Sequence, residues 1–327
     1  MRKIIKILGV VVLLLLLVVG AGLTYLKTAL PNVGPPPDLT VEVTKERIER
    51  GQHLATEVMA CMHCHSKIDK TRFAHPIEDD MLGAGGTHFG PEEGLPGNFY
   101  APNLTPYHLG DWTDGEIFRA ITSGVSKDGH ALFPIMPYPN YAQIDEEDIY
   151  DVIAYLRSLE PVKNDVPLSE AVFPVNFIIN TMPQKAEFTE KPDIGDKVAY
   201  GKYLVTAASC ADCHTTMEQG APIPGMEFAG GNEFPLIDNS IVRTANITPD
   251  PKTGIGNWTE EQFIQRFKEY ADSSFVFHKV EKGEFNTAMP WRMYSRMSQE
   301  ELSAIYAYLQ TVEPKKNAVT HFTPVEE

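Results

Sequence analysis

The sequence predicts a mainly α-helical chain in which two tandem copies of one domain follow a single N-terminal transmembrane helix. Three observations predict it: a long apolar run opens the chain, a five-residue motif occurs twice and accounts for all four cysteines, and shorter motifs repeat in the same order around each copy. With 327 residues and 43% hydrophobic content, the chain is long enough for two domains to bury a core each.

The first element begins with Arg2, Lys3 and Lys6, after which 20 residues from Ile7 to Leu26 carry no charge before Lys27. A helix of that length spans the hydrocarbon of a bilayer. The basic residues on its leading side orient the N-terminus to the cytoplasm and the rest of the chain to the other side of the membrane. A cleaved signal has a shorter apolar region ending in a small-x-small site, whereas Gly20-Ala21-Gly22 is a poor one and no cysteine follows to take a lipid. Residues 1–30 are therefore expected to remain as an anchor or uncleaved signal.

The repeated motif reads Cys61-Met62-His63-Cys64-His65 and Cys210-Ala211-Asp212-Cys213-His214. Cys-x-x-Cys-His is the attachment pattern of c-type haem. Two thiols about a turn apart accept two thioether bonds, and the following histidine sits where its ring can coordinate the iron. A four-thiolate zinc site would keep its pairs close, but Cys64 and Cys210 lie 146 positions apart. A thioredoxin-like pair would need a βαβ context, and two disulfides would leave both histidines unexplained. Outside the cytoplasm free thiols are at risk of oxidation, which suits thiols consumed by a cofactor. The reading is two covalently bound haem c groups, held by Cys61, Cys64, Cys210 and Cys213, with His65 and His214 as proximal iron ligands.

The halves repeat beyond these motifs. Gly51-Gln52-His53-Leu54-Ala55-Thr56, Gly85-Gly86, Asn103-Leu104-Thr105-Pro106, Trp112-Thr113, Met136-Pro137 and Ala154-Tyr155-Leu156 are matched by Gly201-Lys202-Tyr203-Leu204-Val205-Thr206, Gly230-Gly231, Asn246-Ile247-Thr248-Pro249, Trp258-Thr259, Met289-Pro290 and Ala307-Tyr308-Leu309. Thr113-x-x-Glu116 and Thr259-x-x-Gln262 are capping boxes that open helices. The last helix of each half carries a helical-period stripe, Ile149, Val152, Ile153, Leu156 and Leu302, Ile305, Tyr306, Leu309, behind N-caps at Asp145 and Ser298. Domain boundaries follow at 44–163 and 195–318, joined by a linker over 164–194 with an apolar patch at Val172, Phe173, Val175, Phe177, Ile178 and Ile179. That patch is expected to fold as a strap onto its own domain, with packing between domains or on a partner as the alternative.

Spacing also selects a sixth iron ligand. Of the 11 methionines, Met136 and Met289 each lie 25 positions before a Glu-Pro pair's proline, Pro161 and Pro314. Each precedes a proline that stiffens the loop, and a thioether opposite histidine raises the reduction potential while closing the iron to substrates. Met293 and Met297 are expected to be packing residues, Met217 and Met226 to line the crevice or fill core gaps, and His63 to face solvent. His75, His88, His108, His130 and His278 have no counterparts in the other half.

The net charge is −16, and removing the four basic residues of the first 27 leaves 24 Lys+Arg against 44 Asp+Glu, or −20. Such a surface repels nucleic acid and would steer a basic partner, although solubility alone accounts for it equally well.

Ala245-Asn246-Ile247-Thr248-Pro249-Asp250, Gly254-Ile255-Gly256-Asn257-Trp258-Thr259 and Phe133-Pro134-Ile135-Met136-Pro137-Tyr138-Pro139 closely resemble the cytochrome c subunits of membrane-bound bacterial dehydrogenases, the alcohol, gluconate, sorbitol and nicotinate type. The resemblance covers about residues 45–320. It implies two class I cytochrome c domains, each a small helical fold whose terminal helices cross, and a bacterial inner membrane with the haem domains on its periplasmic side. Many members carry three haem motifs where this chain has two, and the second half inserts about seven residues between Trp258 and Met289. The implied function is a membrane-anchored dihaem cytochrome, not itself an enzyme, that carries single electrons from a periplasmic dehydrogenase or other respiratory donor to an acceptor protein. A haem subunit of a terminal oxidase, or a dihaem peroxidase or thiosulfate-oxidising enzyme, is the alternative. Intact-mass measurement of the holoprotein is expected to find the polypeptide plus two covalently bound haems; fewer would overturn the motif reading.

Overall fold

The structure is a computed structural model that describes residues 2–218, 220–272 and 275–325. Helix α1 (Arg2–Thr28) has no buried residue, and among the described residues it is the one helix long and apolar enough to cross a membrane. Its 27 residues rise about 40 Å at 1.5 Å each, more than a hydrocarbon core requires.

The first half begins with α2 (Lys45–His53), where the Thr44 side chain accepts from the Arg47 amide. A π-helical turn over Leu54–Val58 continues it, and Ala60, at φ 50°, turns the chain into α3 (Cys61–Cys64). Strands β1 (His88–Phe89) and β2 (Gly97–Tyr100) form a hairpin, followed by α4 (Pro106–Leu109), α5 (Asp114–Ser123), α6 (Tyr138–Tyr141) and α7 (Glu146–Ser158). The linker holds β3 (Glu170–Ala171) and α8 (Val175–Ile178), which runs into a 3-10 turn at Ile179–Thr181.

The second half repeats the order with α9 (Lys197–Ala207), the left-handed Ser209, α10 (Cys210–His214), the hairpin β4 (Met217–Glu218) and β5 (Ala221–Pro222), then β6 (Glu233–Pro235) and β7 (Ile241–Arg243). Helices α11 (Glu260–Lys268), α12 (Trp291–Tyr294) and α13 (Gln299–Leu309) follow, and β8 (Phe322–Thr323) adds to β7 as the third strand of a sheet. The predicted caps are in place: Thr113 with Glu116 and Thr259 with Gln262 form complete capping boxes, and Asp145 and Ser298 cap the last helices. Each cap satisfies amides that the first helical turn leaves unpaired.

In each half the first helix crosses the last at a glycine. A Cβ on Gly51 would stand 1.8 Å from the Asp151 carbonyl oxygen, and one on Gly201 1.9 Å from that of Ala304. No side chain larger than hydrogen fits either crossing. The stripe residues Ile149, Val152, Ile153, Leu156, Leu302, Ile305 and Leu309 are buried beneath, and Tyr306 is half-buried. Arg47 and Arg50 add ion pairs to the Asp151 carboxylate at 2.7 and 2.6 Å in the first half.

The halves share one continuous apolar core rather than holding one each. Helix α6 of the first half lies against α9 of the second, and α12 of the second lies against the π-helical turn of the first. Polar contacts follow the same exchange: Tyr203 donates its hydroxyl to Asp148 at 2.6 Å, and at the corresponding place in α13 Glu301 meets His53 Nε2 at 2.7 Å. A second seam joins the loops, where the Phe73 amide donates to the His278 carbonyl and the Phe73 ring stacks on His278 and Tyr270. The linker backbone runs as a strap on the first half, where β3 pairs with β2 and farther on the Glu187 amide donates to Ala142 and the Lys191 amide to Asp145, but Val172, Phe173 and Ile178 of its apolar patch are exposed.

His53 is the pivot of one arm of the exchange, its Nδ1 also 2.6 Å from Glu57. Hydrogen bonds to Glu301 and Glu57 outweigh desolvation and raise the ring from 6.5 to about 10. A raised histidine contributes stability in full below its unfolded value and loses it as pH climbs through the folded one. His53→Gln is therefore expected to destabilise the chain most below pH 6.5, with the gap between variant and parent denaturation midpoints closing toward pH 10; a gap that stays constant with pH would show that this ring is not charged.

Candidate haem sites

Cys61 and Cys64 stand on the single turn of α3, Cys210 and Cys213 on that of α10, and all four thiols are unbridged. Desolvation pushes Cys61, Cys210 and Cys213 up to about 12 and Cys64 to about 11, so at neutral pH they are thiols and not thiolates. Cys61, Cys64 and Cys210 are half-buried and Cys213 is exposed.

The histidine after each pair is oriented by the backbone. His65 Nδ1 lies 2.9 Å from the Pro102 carbonyl oxygen and His214 Nδ1 2.8 Å from that of Ala245. A carbonyl only accepts, so Nδ1 carries the hydrogen and Nε2 keeps its lone pair. Burial lowers both rings' affinity for a second proton, which keeps that lone pair available at neutral pH. A neutral imidazole fixed through its other nitrogen is the form in which histidine binds a metal.

The carbonyls are held in place by the repeated Gly-Gly and Asn-x-Thr-Pro stretches. The Gly85 amide donates to the His65 carbonyl at 2.9 Å, and the Gly230 amide to that of His214 at 2.7 Å. Gly85 sits at φ +69° and Gly230 at φ +70°, where a Cβ would meet Asn103 N at 2.5 Å or the Ala245 carbonyl carbon at 2.4 Å. Only glycine lets the two strands approach this closely in a left-handed conformation. Next to them, the buried Asn103 accepts from the Thr105 amide and hydroxyl at 2.8 and 2.7 Å and donates to the Val162 carbonyl at 2.8 Å. Asn246 does the same with Thr248 and the Lys315 carbonyl. Each carbonyl that aims a histidine is thereby tied to the segment following the last helix.

Met136 and Met289 occupy equivalent bends, each half-buried against the shared core, each followed by proline and a short helix, α6 or α12. The Tyr138 amide donates to the Met136 carbonyl at 2.7 Å and the Trp291 amide to that of Met289 at 2.8 Å. Two tyrosines that sequence reasoning missed hold these bends to the motifs. Tyr141 donates its hydroxyl to the Met59 carbonyl at 3.2 Å and Tyr294 to the Ala208 carbonyl at 2.9 Å, in both cases two residues before the first cysteine. Each lies five residues after its methionine, so the same spacing rule could have found them. Both are buried, and desolvation raises both hydroxyls well above the usual tyrosine range. Asn140 Nδ2, on α6 beside the Met136 bend, donates to Asp212 of the second motif at 2.9 Å, so the two sites adjoin.

The remaining candidates have other employment. Met293 and Met297 are buried packing residues, while Met217 lies exposed on β4 and Met226 is half-buried. His63 is half-buried rather than solvent-facing, and burial, with His75 beside it, lowers it to about 4. His88 lies tilted against Tyr100, His108 lies against Trp112, His130 is bonded to Asp128 and Ser126, and His278 stacks on Phe73. Among the described residues, no group of three or more His, Cys, Asp or Glu side chains forms a site for a free metal ion.

The sequence model of the family described as Cytochrome c matches residues 48–160 and 198–313. The chain is 26% identical over 300 residues to the alcohol dehydrogenase (quinone) cytochrome c subunit of Gluconacetobacter polyoxogenes, covering 87% of this chain and 60% of that protein. It is 28% identical over 307 residues to the fructose dehydrogenase cytochrome subunit of Gluconobacter japonicus, covering 89% and 58%. A diheme cytochrome c-type protein of Cereibacter sphaeroides is 25% identical over 309 residues, covering 92% of this chain and 96% of the relative. The chain thus spans less than two thirds of the length of the dehydrogenase subunits and nearly all of the dihaem protein.

Asn103→Ala or Asn246→Ala would leave buried amide and carbonyl groups without partners and free the carbonyl that aims the histidine. Each is expected to cost about 1–3 kcal/mol in denaturant unfolding of the holoprotein; an unchanged midpoint would show that the asparagine does not hold the loop.

Proposed function

The chain belongs to the cytochrome c family, and from that premise we propose that it is a membrane-anchored dihaem electron carrier built from two tandem class I domains. One observation carries the reading: both halves present two unbridged thiols on one turn, then a histidine whose Nδ1 is committed to a backbone carbonyl and whose Nε2 is left as a ligand. Cys61 and Cys64 would bond the first porphyrin and Cys210 and Cys213 the second, with His65 and His214 supplying nitrogen and Met136 and Met289 sulfur to the irons. When bound, haem supplies a one-electron couple between ferrous and ferric iron.

The protein's part is to hold the ligands and exclude water. The Pro102 and Ala245 carbonyls raise the basicity of the imidazoles and stop the rings from turning. Tyr141 and Tyr294 hold the methionine bends against the motif turns. Thioethers from Met136 and Met289 would favour the reduced state of a bound haem and would keep its iron closed to substrates, which suits a carrier rather than an enzyme. The acidic surface would steer basic redox partners. Similarity to cytochrome subunits of alcohol and fructose dehydrogenases supports a dehydrogenase of that kind as donor, and α1, with Arg2, Lys3 and Lys6 on its cytoplasmic side, would keep the haem domains at the periplasmic face of the inner membrane.

Redox titration tests the ligand assignment. Met136→Leu and Met289→Leu are each expected to lower the midpoint of one of two haem transitions and leave the other in place. A variant with both midpoints and its ferrous spectrum unaltered would remove that methionine from the assignment.

A further inference from the structure

We propose that the linker strap lies in the interfacial layer of the bilayer that α1 crosses, so that its apolar face fixes the first haem-binding half against the membrane surface. The inference rests on the reading of α1 as an anchor.

The strap is unusual in composition. Residues 166–182 include a single charged residue, Glu170, in a chain that is 22% charged. Its backbone is bound inward: β3 pairs with β2, and the Val172 amide donates to the Pro96 carbonyl at 2.9 Å. The chains approach so closely there that a Cβ on Gly97 would stand 2.3 Å from the Glu170 carbonyl oxygen. The strap is therefore a fixed part of the first half, not a tether. Four of its apolar side chains are turned outward, Leu168 85%, Phe173 71%, Val172 54% and Ile178 44% exposed, while Val175, Phe177 and Ile179 are half-buried. The Phe173 and Phe177 rings meet edge to face at 6.2 Å, forming one aromatic ridge.

Position names the occupant. Helix α1 lies against α8 and the 3-10 turn that follows it, and Leu23 and Leu26, near the C-terminal end of α1, are its half-buried residues. The apolar strap is thus continuous with the end of the membrane-crossing helix that emerges on the haem side. An aromatic and aliphatic surface at that level sits at the boundary between headgroups and acyl chains. The charge of the exported part argues against attraction to anionic headgroups, so apolar insertion would have to supply the contact.

Single nitroxide labels at Phe173→Cys, Ile178→Cys, Leu14→Cys and Ile237→Cys in the full-length holoprotein, reconstituted in phosphatidylcholine nanodiscs, test this by collision with oxygen and with a water-soluble nickel chelate. Ile237 is a comparably exposed apolar residue on the β6–β7 turn. Positions 14, 173 and 178 are expected to show an oxygen-to-nickel accessibility ratio severalfold above position 237, with no need for anionic lipid. Lipid-type accessibility at 14 with water-type accessibility at 173 and 178 would overturn the inference and leave the anchor standing. The strap would then be a protein-docking face if adding a dehydrogenase protected those two labels. Water-type accessibility at 14 would overturn the anchor and this inference with it.

Discussion

Two hydrogen bonds of one kind, from His65 Nδ1 to the Pro102 carbonyl and from His214 Nδ1 to the Ala245 carbonyl, are what the rest of each half is arranged to hold. The carbonyl must approach the motif turn, so a glycine in the left-handed region stands opposite it. It must also stay there, so a buried asparagine pins its loop to the chain beyond the last helix. That helix is located by its crossing with the first, which is too close for any side chain at Gly51 or Gly201. A histidine ring, a loop and a pair of helices thus form one linked set of constraints, present twice.

Duplication alone would allow two independent beads on a string. The observed arrangement is different, because α6 and α12 each reach the opposite half and the apolar residues of both halves form one core. Close packing of that kind resists relative motion, since sliding would open voids or force overlaps. It also joins the Met136 bend to the second motif, where Asn140 donates to Asp212. The distance between the candidate haem sites is then set by side-chain packing and not by the length of the linker.

The linker has a different task. It follows the first half closely through β3 and the contacts of Glu187 and Lys191, so it adds surface to that half and gives it an apolar side. The chain beyond α1 as a whole carries a net negative charge. The apolar face of the linker thus lies beside the C-terminal end of α1, apart from that charge.

Local features were legible in the sequence because their causes are local. The caps at Thr113, Asp145, Thr259 and Ser298 depend on residues two or three positions away, the stripes of α7 and α13 on the helical period, and the motif turns on the spacing of two thiols and a histidine. The repeat placed Met136 and Met289 on equivalent bends, since copies of one domain inherit the same loop. Tyr141 and Tyr294 carried the same signal but no recognised chemistry, so they stood out only once their hydroxyls were seen to close on the motif backbone. The half-burial of His63 beside His75 and the pairing of His53 with Glu301, 248 positions apart, had no signal in spacing or composition. Such contacts exist because the two halves and their loops dock in one particular way. Sequence by itself determined the membrane-length helix, the duplicated helices and the paired thiol turns, because each follows from covalent spacing and short-range hydrogen bonding. Tertiary structure alone decided the shared core, the adjoining sites and the outward face of the strap, because these depend on which surfaces fit together after the helices have formed.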